Sequence, residues 1–184
     1  MTQSTPSRQV LMTDAEVART LARLAREIAA ANPPPSSLVL AGIQTGGVHL
    51  ARRLAELLRH LDHPGVELGE LDINMHRDDL DAHPAPPMHR TAMPLDLSGK
   101  DVVLVDDVIS SGRTVRAALD ALHDLGRPRR IQLAVLVDRG QRALPITADF
   151  VGATVPTATA DKVDVQVTGS PAEFKVVLEK AAVQ

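Results

Sequence analysis

Two adjacent carboxylates followed by a small polar turn are the residues of this sequence best placed to do chemistry. Asp106 and Asp107 follow the apolar run VVLV at 102–105, and residues 110–114 read SSGRT. Small residues let a backbone turn close around an anion, and a helix that begins there directs its free N–H groups and positive dipole end at that anion. The carboxylates suit the hydroxyls of a sugar or a divalent cation better than they suit a phosphate. The stretch therefore predicts a site for a phosphorylated sugar with Mg²⁺. An ordinary strand-to-helix turn, the alternative, would leave the paired carboxylates unexplained.

Two further loops follow apolar runs and carry glycines or charges. Residues 38–41 lead into GIQTGG at 42–47, and residues 131–137 lead into DRGQR at 138–142. Because ligands bind at the carboxyl ends of strands in open parallel sheets, we expect these two loops and 106–114 to converge on one edge. For 42–47 taken alone, an ordinary strand-to-helix turn is an equal alternative. None of the three is a nucleotide P-loop or a dinucleotide fingerprint.

Helices and strands alternate along most of the chain. Apolar residues at helical spacing predict helices over 17–28, 48–61 and 115–125, the first preceded by a capping-box pattern at 13–16. Strands are predicted at 38–41, 66–75, 102–105, 131–137, 150–151, 163–167 and 174–178. A change of phase near 69–70 predicts a bulge. This order predicts an α/β fold with a mostly parallel sheet, built as a single domain over 1–184.

Two segments lack an apolar period. Residues 1–9 are predicted to be disordered, and residues 76–94 form a long loop rich in proline and charge. A loop of this length in a compact domain is usually functional or disordered. We interpret 76–94 as a mobile active-site loop, with a plain surface connection as the alternative.

Composition excludes several classes of protein. The chain of 184 residues has two Phe and no Trp or Tyr, which argues against base stacking as its main way to hold nucleic acid. Its net charge of -3 excludes a uniformly basic binder but not a local basic patch. The absence of Cys excludes disulfides and thiolate metal sites. No signal peptide and no membrane span are predicted, so a cytoplasmic protein with no membrane partner is expected.

The motifs resemble those of a known family. VVLVDDVISSGRT closely resembles the phosphoribosyl diphosphate (PRPP) binding motif of type I phosphoribosyltransferases. GIQTGGVHLARRLAE, GELDINMHRDDL, LGRPRRIQLAVLVDRGQRALPITADFVG and VPTA are similar to the PyrR proteins, bifunctional pyrimidine-operon regulators with uracil phosphoribosyltransferase activity. The resemblance runs from about residue 13 to the end. It implies a type I phosphoribosyltransferase fold, in which helices flank a mostly parallel central sheet and a small hood is attached. It also implies that uracil N1 displaces pyrophosphate from ribose C1 of PRPP, with Mg²⁺, to form UMP.

The resemblance implies a role for each loop. Asp106 and Asp107 would hold the ribose hydroxyls, directly or through Mg²⁺, and would be catalytic together with Arg77. Arg77, Asp78 and Asp79 would begin the mobile loop that closes over PRPP. The residues expected to contact PRPP or UMP are Thr45, Gly46, Gly47, Asp106, Asp107, Val108, Ile109, Ser110, Ser111, Gly112, Arg113 and Thr114. The base would lie near Asp138, Arg139 and Gln141, in the hood.

RNA is the second ligand that the resemblance implies. The family binds the leader mRNA of pyrimidine genes, and uridine nucleotides such as UMP and UTP promote that binding. Arginine suits phosphate and loop recognition. The candidate contacts are Arg19, Arg23, Arg26 and Arg142, followed by Arg127, Arg129 and Arg130. A simply solvated helix face is the alternative for the first three.

The chain departs from the family at several positions. Gly46 stands where the pyrophosphate turn usually has Arg, His76 where a Tyr is usual, and Gln141 where the hood usually has His. Ala22 and Thr147 replace polar and basic residues of the expected RNA surface. These departures keep three alternatives open: a regulator with little catalysis, a phosphoribosyltransferase without RNA regulation, and a transferase for another base. The family also implies a homodimer or larger homo-oligomer.

Overall fold

The computed structural model describes residues 7–76, 91–94, 96–169 and 172–181. Its helices are α1 (Asp14–Ala31), α2 (Gly46–Arg59) and α3 (Arg113–His123). Its strands are β1 (Ser7–Met12), β2 (Leu38–Ile43), β3 (Glu67–Leu71), β4 (Asp101–Ile109), β5 (Arg130–Asp138), β6 (Phe150–Thr154), β7 (Lys162–Thr168) and β8 (Glu173–Lys180). No helix among these residues is long and apolar enough to cross a membrane.

The strands form two sheets. Five of them make a fully parallel sheet in the order β3-β2-β4-β5-β6. The other three make an antiparallel sheet in the order β1-β8-β7, which we call the hood. The predicted α/β fold with a mostly parallel sheet is therefore confirmed.

The long apolar runs belong to strands that are covered on both faces. In β2, Leu38 and Leu40 pack into a cluster with α1, α2 and the hood, whereas Val39 and Ala41 pack into a second cluster with α3. β4 and β5 alternate in the same way. Continuous Val/Leu runs are typical of parallel strands buried on both sides, and the structure shows the two layers that bury them.

Helix α1 begins and packs as predicted. The Thr13 backbone N–H donates to Glu16 Oε2 at 2.8 Å, which completes the capping box. Val17, Leu21 and Ile28 are buried on its inner face. The helix lies against β6 and β8, so it joins the main sheet to the hood.

The predicted disorder of residues 1–9 is wrong for residues 7–9, which lie in β1. Gln9 pairs with Leu178 and Arg8 pairs with Glu179 at the edge of the hood. Residues 7–10 are exposed and have no apolar alternation, so their strand depends on a partner at the far end of the chain. Residues 1–6 lie outside the described part of the chain.

The predicted bulge at 69–70 is also wrong. β3 pairs with β2 without a shift of register, from Val39 opposite Glu67 to Ile43 opposite Leu71. Leu68 packs into one cluster and Leu71 into the other. The apparent change of phase in the sequence therefore reflects burial on both faces of a regular strand.

Candidate active site

Three loops meet at one edge of the main sheet, as the sequence predicts. β2, β4 and β5 are neighbours, and their carboxyl ends are Ile43, Ile109 and Asp138. The Arg139 backbone N–H donates to the Ile109 carbonyl at 3.1 Å. Segments 42–47, 106–114 and 138–142 therefore form one continuous surface.

The carboxylates lie inside the strand rather than after it. β4 continues to Ile109, so Asp106 and Asp107 belong to its final part, and Asp106 is only 6% exposed. The Asp107 N–H donates to Asp106 Oδ1 at 3.0 Å, and the Val108 N–H donates to Asp107 Oδ1 at 2.8 Å. Burial of its carboxyl raises the pKa of Asp107 above the ordinary value of 3.8, despite these hydrogen bonds. Both side chains are thus held by backbone N–H groups in fixed positions.

The turn that follows the strand leads into a helix. Helix α3 begins at Arg113, two residues earlier than predicted, and its N-cap Gly112 has a φ of 89°, which favours glycine. The Arg113 N–H donates to Ser111 Oγ at 3.3 Å. A cavity of about 60 Å³ lies at this turn, lined by Asp106, Val108, Ile109, Ser110, Ser111, Gly112, Thr114 and Val115. Its size and its position at a helix N-terminus suit a phosphate group.

The 42–47 turn rests directly on β4. A Cβ on Gly46 would lie within 2.5 Å of Asp107 Cγ and closer still to its Oδ2. A Cβ on Gly47 would lie within 3.0 Å of the Val105 carbonyl carbon and closer still to its oxygen. The Asp107 carboxylate therefore occupies the space in which a larger residue at position 46 would begin. This contact, which links the first two loops, has no signal in the sequence beyond the two glycines.

The same turn is held from its other side by a network that the sequence did not reveal. The peptide bond between Gln44 and Thr45 is cis, and the Gln44 N–H donates to the Leu71 carbonyl at 3.0 Å. The Gln44 side chain donates to Glu70 Oε2 at 3.3 Å, and Arg52 pairs with the same carboxylate. These contacts hold the turn against β3, and Arg52 joins β3 to α2.

The third loop contacts the connection between β6 and the hood strand β7. Asp138 is the last residue of β5. Arg139 donates to Thr157 Oγ1 at 3.0 Å, and Gln141 donates to the Thr157 carbonyl at 2.8 Å. A cavity of about 490 Å³ lies here, lined by Asp138, Arg139, Gly140, Gln141, Arg142, Leu144, Pro145, Ile146, Thr147, Thr154, Pro156 and Thr157. The three predicted base-side residues therefore share one cavity next to the turn at 110–114.

The candidate RNA contacts on α1 differ in their exposure and in their hydrogen bonds within the protein. Arg19 and Arg26 are exposed on α1. Arg23, by contrast, donates to the carbonyls of Val151 and Gly152 at 3.1 and 2.7 Å and pairs with Glu27. Arg23 therefore joins α1 to β6, and its guanidinium would have to give up these hydrogen bonds to bind RNA.

The basic turn at 127–130 lies at the opposite end of the main sheet. β4 begins at Asp101 and β5 at Arg130, so this turn is separated from the candidate site by the length of the strands. Arg129 pairs with the buried Asp101, and Arg130 donates to Asn32 Oδ1 at 2.6 Å. Arg127 is exposed.

The predicted active-site loop lies largely outside the described residues, and this includes Arg77, Asp78 and Asp79. Its two ends are anchored. His76 closes a short 3₁₀ turn and its Nε2 lies 3.7 Å from Asp124 Oδ2, while Ala92 pairs with Glu70. Glu70 lies near the carboxyl end of β3, on the side of the candidate site, whereas Asp124 follows the C-terminus of α3, toward the opposite end of the sheet.

The carboxylates do not form a self-sufficient metal site. Among the described residues, no three His, Cys, Asp or Glu side chains are grouped to hold a metal ion. Asp106 and Asp107 supply hard oxygen donors from one strand end, which fits a divalent cation that brings most of its ligands with it. Mg²⁺ bound to a diphosphate sugar is such a cation.

Comparisons with known proteins identify the family of this chain. Residues 10–172 match the phosphoribosyl transferase domain family. The chain is 49% identical to the bifunctional protein PyrR of Chloroflexus aurantiacus, over 93% of this chain and 94% of that protein. It is 51% identical to the bifunctional protein PyrR of Geobacter sulfurreducens, over 93% and 97%.

Solved structures share the fold. The hypoxanthine phosphoribosyltransferase of Trypanosoma cruzi superposes with a TM-score of 0.66 at 20% identity, over 94% of this chain and 97% of that one. The enzyme of the same name from Staphylococcus aureus gives 0.64 at 18% identity, over 82% and 79%. At these identities the likeness extends to the fold alone.

Proposed function

Because the chain belongs to the PyrR proteins of the phosphoribosyl transferase domain family, we propose that it has two functions. It transfers the phosphoribosyl group of PRPP to uracil, which yields UMP and pyrophosphate. It also binds the leader mRNA of pyrimidine genes in response to UMP or UTP. Both functions belong to one domain that spans the chain and acts in the cytoplasm as a homodimer or larger assembly.

One observation carries the enzymatic proposal. Asp106 and Asp107 lie between the phosphate-sized cavity at 110–114 and the turn at 46–47. PRPP has the same order of groups: a 5′-phosphate, a ribose with two free hydroxyls, and a pyrophosphate on C1. The α3 N-terminus would bind the phosphate, the two carboxylates would accept hydrogen bonds from the ribose hydroxyls, and the 45–47 turn would contact the pyrophosphate.

The reaction needs positioning more than it needs a nucleophile. Uracil in the cavity beside Asp138, Arg139 and Gln141 would present N1 to ribose C1 as the bond to pyrophosphate breaks, and N1 would release its proton to solvent or to the departing pyrophosphate. The buried carboxylates would stabilise the positive charge that develops on the sugar. Mg²⁺ bound with PRPP would neutralise the charge of the leaving group. Closure of the loop that contains Arg77 would exclude water and prevent hydrolysis of PRPP.

A double substitution tests the proposed site. Asp106→Asn with Asp107→Asn should abolish UMP formation from uracil and PRPP and leave the melting temperature close to that of the wild type. Asp120→Asn is the matched control, since Asp120 is an exposed residue of α3 whose carboxylate pairs with Arg116. Near-normal turnover in the double variant would show that the ribose is bound elsewhere.

The RNA proposal rests on the exposed arginines of α1. Arg19→Gln with Arg26→Gln should weaken the binding of leader RNA and reduce the slope of log K against log salt by about 1 for each RNA phosphate that is no longer neutralised. Arg53→Gln is the control, because Arg53 is exposed on α2 and pairs with Glu56 of the same helix. Binding with and without UMP should be measured on the preparation used for turnover.

The outcomes separate the alternatives. UMP-stimulated RNA binding without turnover would identify a regulator with little catalysis. Turnover without affinity for leader RNA would identify a phosphoribosyltransferase that does not regulate.

A further inference from the structure

The guanidinium of Arg142 makes hydrogen bonds to two loops of the candidate site. Its Nη1 donates to the carbonyls of Ser110 and Gly140 at 2.9 and 3.1 Å. Its Nε donates to the carbonyl of Ile146 at 2.9 Å. Its Nη2 pairs with Asp138 Oδ2 at 2.6 Å, and the side chain is only 23% exposed. The guanidinium therefore uses three nitrogens within the protein.

These contacts join the two cavities of the site. Asp138 and Ile146 line the larger cavity, whereas Ser110 lines the smaller one. Beside the guanidinium, the N–H groups of Ala143 and Leu144 both donate to the Ser111 carbonyl at 3.0 Å. We call the larger cavity the base-side cavity and residues 110–114 the phosphate turn, after the ligands that the proposed function assigns to them. The wall of the base-side cavity is thus bonded to the backbone of the phosphate turn.

We propose that Arg142 is a positioning residue that couples the base-side cavity to the phosphate turn. The identity of the two ligands rests on the proposed function, but the coupling itself rests on the contacts alone. Arginine suits the task because its planar fork directs several donors at once, which a lysine ammonium does not reproduce. This role accounts for Arg142 without an RNA contact.

The coupling makes a specific prediction for ligand affinity. Without Arg142, the carbonyls of Ser110, Gly140 and Ile146 lose their donor and the two loops lose their common anchor. Both cavities should then bind more weakly, although Arg142 lies on the base side and the phosphate turn keeps its whole sequence. We expect PRPP affinity to fall about tenfold in Arg142→Gln, the size of effect that follows from losing a charge-assisted hydrogen bond.

The experiment measures binding of PRPP with Mg²⁺ by calorimetry and backbone hydrogen exchange of the ligand-free protein. The variants are Arg142→Gln and Arg142→Lys, with Arg53→Gln as the control on α2. Exchange at Ala143 and Leu144 should accelerate in Arg142→Gln while the control matches the wild type. Arg142→Lys should restore affinity only in part. Asp138→Asn removes the ion pair and keeps Arg142, so it should reduce PRPP affinity and accelerate exchange less than Arg142→Gln does. This variant replaces Arg142→Gln in the experiment if Arg142→Gln does not fold.

Two outcomes would overturn the proposal, and a third separates it from the proposed function. PRPP affinity and amide exchange in Arg142→Gln that equal those of the wild type would show that the loops do not depend on Arg142. Full recovery by Arg142→Lys would show that charge alone matters. Failure of the wild type to form UMP would refute the proposed enzyme and leave this test intact, because neither readout requires turnover.

Discussion

Gly46 offers the sharpest test of how the candidate site is built. The φ of Gly46 is not positive, so an L-residue fits its backbone and the effect of a side chain is purely steric. A Cβ there would lie within 2.5 Å of Asp107 Cγ and 3.0 Å of Asp107 Cβ. In Gly46→Ala the Asp107 carboxylate must rotate away and give up the N–H of Val108, which donates to it at 2.8 Å.

The size of the effect follows from these contacts. Overpacking one methyl group costs about 1–3 kcal/mol, and the loss of a hydrogen bond in a half-buried place adds about 1 kcal/mol. We therefore expect Gly46→Ala to lower the free energy of unfolding by about 2–4 kcal/mol in urea titrations. Two controls bracket it. Gly65→Ala, with no atom within 4 Å, should change it by less than about 1 kcal/mol. Gly47→Ala should cost more than Gly46→Ala, because the obstacle is the Val105 backbone.

A double variant identifies the cause. In an Asp107→Ala background the colliding carboxylate is gone, so Gly46→Ala should cost less than half of what it costs in the wild type. An equal cost in both backgrounds would refute the contact between Gly46 and Asp107. If Asp107 binds the ribose as proposed, PRPP affinity should also fall in Gly46→Ala, because the displaced carboxylate would no longer face the sugar.

Three further predictions concern the fold around the site. Hydrogen bonds from the Thr13 backbone and hydroxyl lower the pKa of Glu16 below its ordinary value of 4.5. Its stabilising effect should therefore be complete above pH 4.5 and be lost as the pH falls through its lowered pKa in the folded protein. The difference in unfolding free energy between wild type and Glu16→Gln at pH 7 should shrink on acidification below pH 4.5, and a difference that stays constant would contradict the capping role. Arg23→Gln should lower the free energy of unfolding by about 1–2 kcal/mol in thermal melts, since it removes the donor to the Val151 and Gly152 carbonyls. An unchanged melting temperature together with weaker RNA binding would instead identify Arg23 as an RNA contact. Leu54→Ala, at a position 1% exposed, should cost about 2–5 kcal/mol in denaturant unfolding, and less than about 1 kcal/mol would contradict its place in the cluster between α2 and the sheet.

The sequence predicts the main sheet and its functional edge because both depend on short segments. Across the runs at 38–41, 102–105 and 131–137, every residue except Gln132 is apolar. Such continuous runs are typical of strands that are covered on both faces. The same runs end in the carboxylates and glycines, so the topology of a parallel sheet is enough to bring them together. The element bounds differ by a few residues, and this matters at Asp106 and Gly46, which lie within β4 and α2.

What the sequence does not predict depends on partners far away in the chain. β1 exists because β8 pairs with it about 170 residues later, and its own residues carry no apolar period. The sequence pattern predicts Arg23 to be one of several charges on an outer helix face. In the structure, its guanidinium donates to carbonyls 128 and 129 residues away in the chain. The contact of Gly46 with Asp107 likewise requires the register between α2 and β4. Such contacts are set by tertiary packing, and no local pattern reports them.

The choice of base is the most direct test of the proposed uracil phosphoribosyltransferase activity. Purified protein should be given PRPP and Mg²⁺ with either uracil or hypoxanthine, and the nucleotide products separated and quantified. Uracil should give UMP in a PRPP-dependent reaction, and hypoxanthine should give no nucleotide. Formation of the hypoxanthine nucleotide, or of no nucleotide from either base, would contradict the proposed activity.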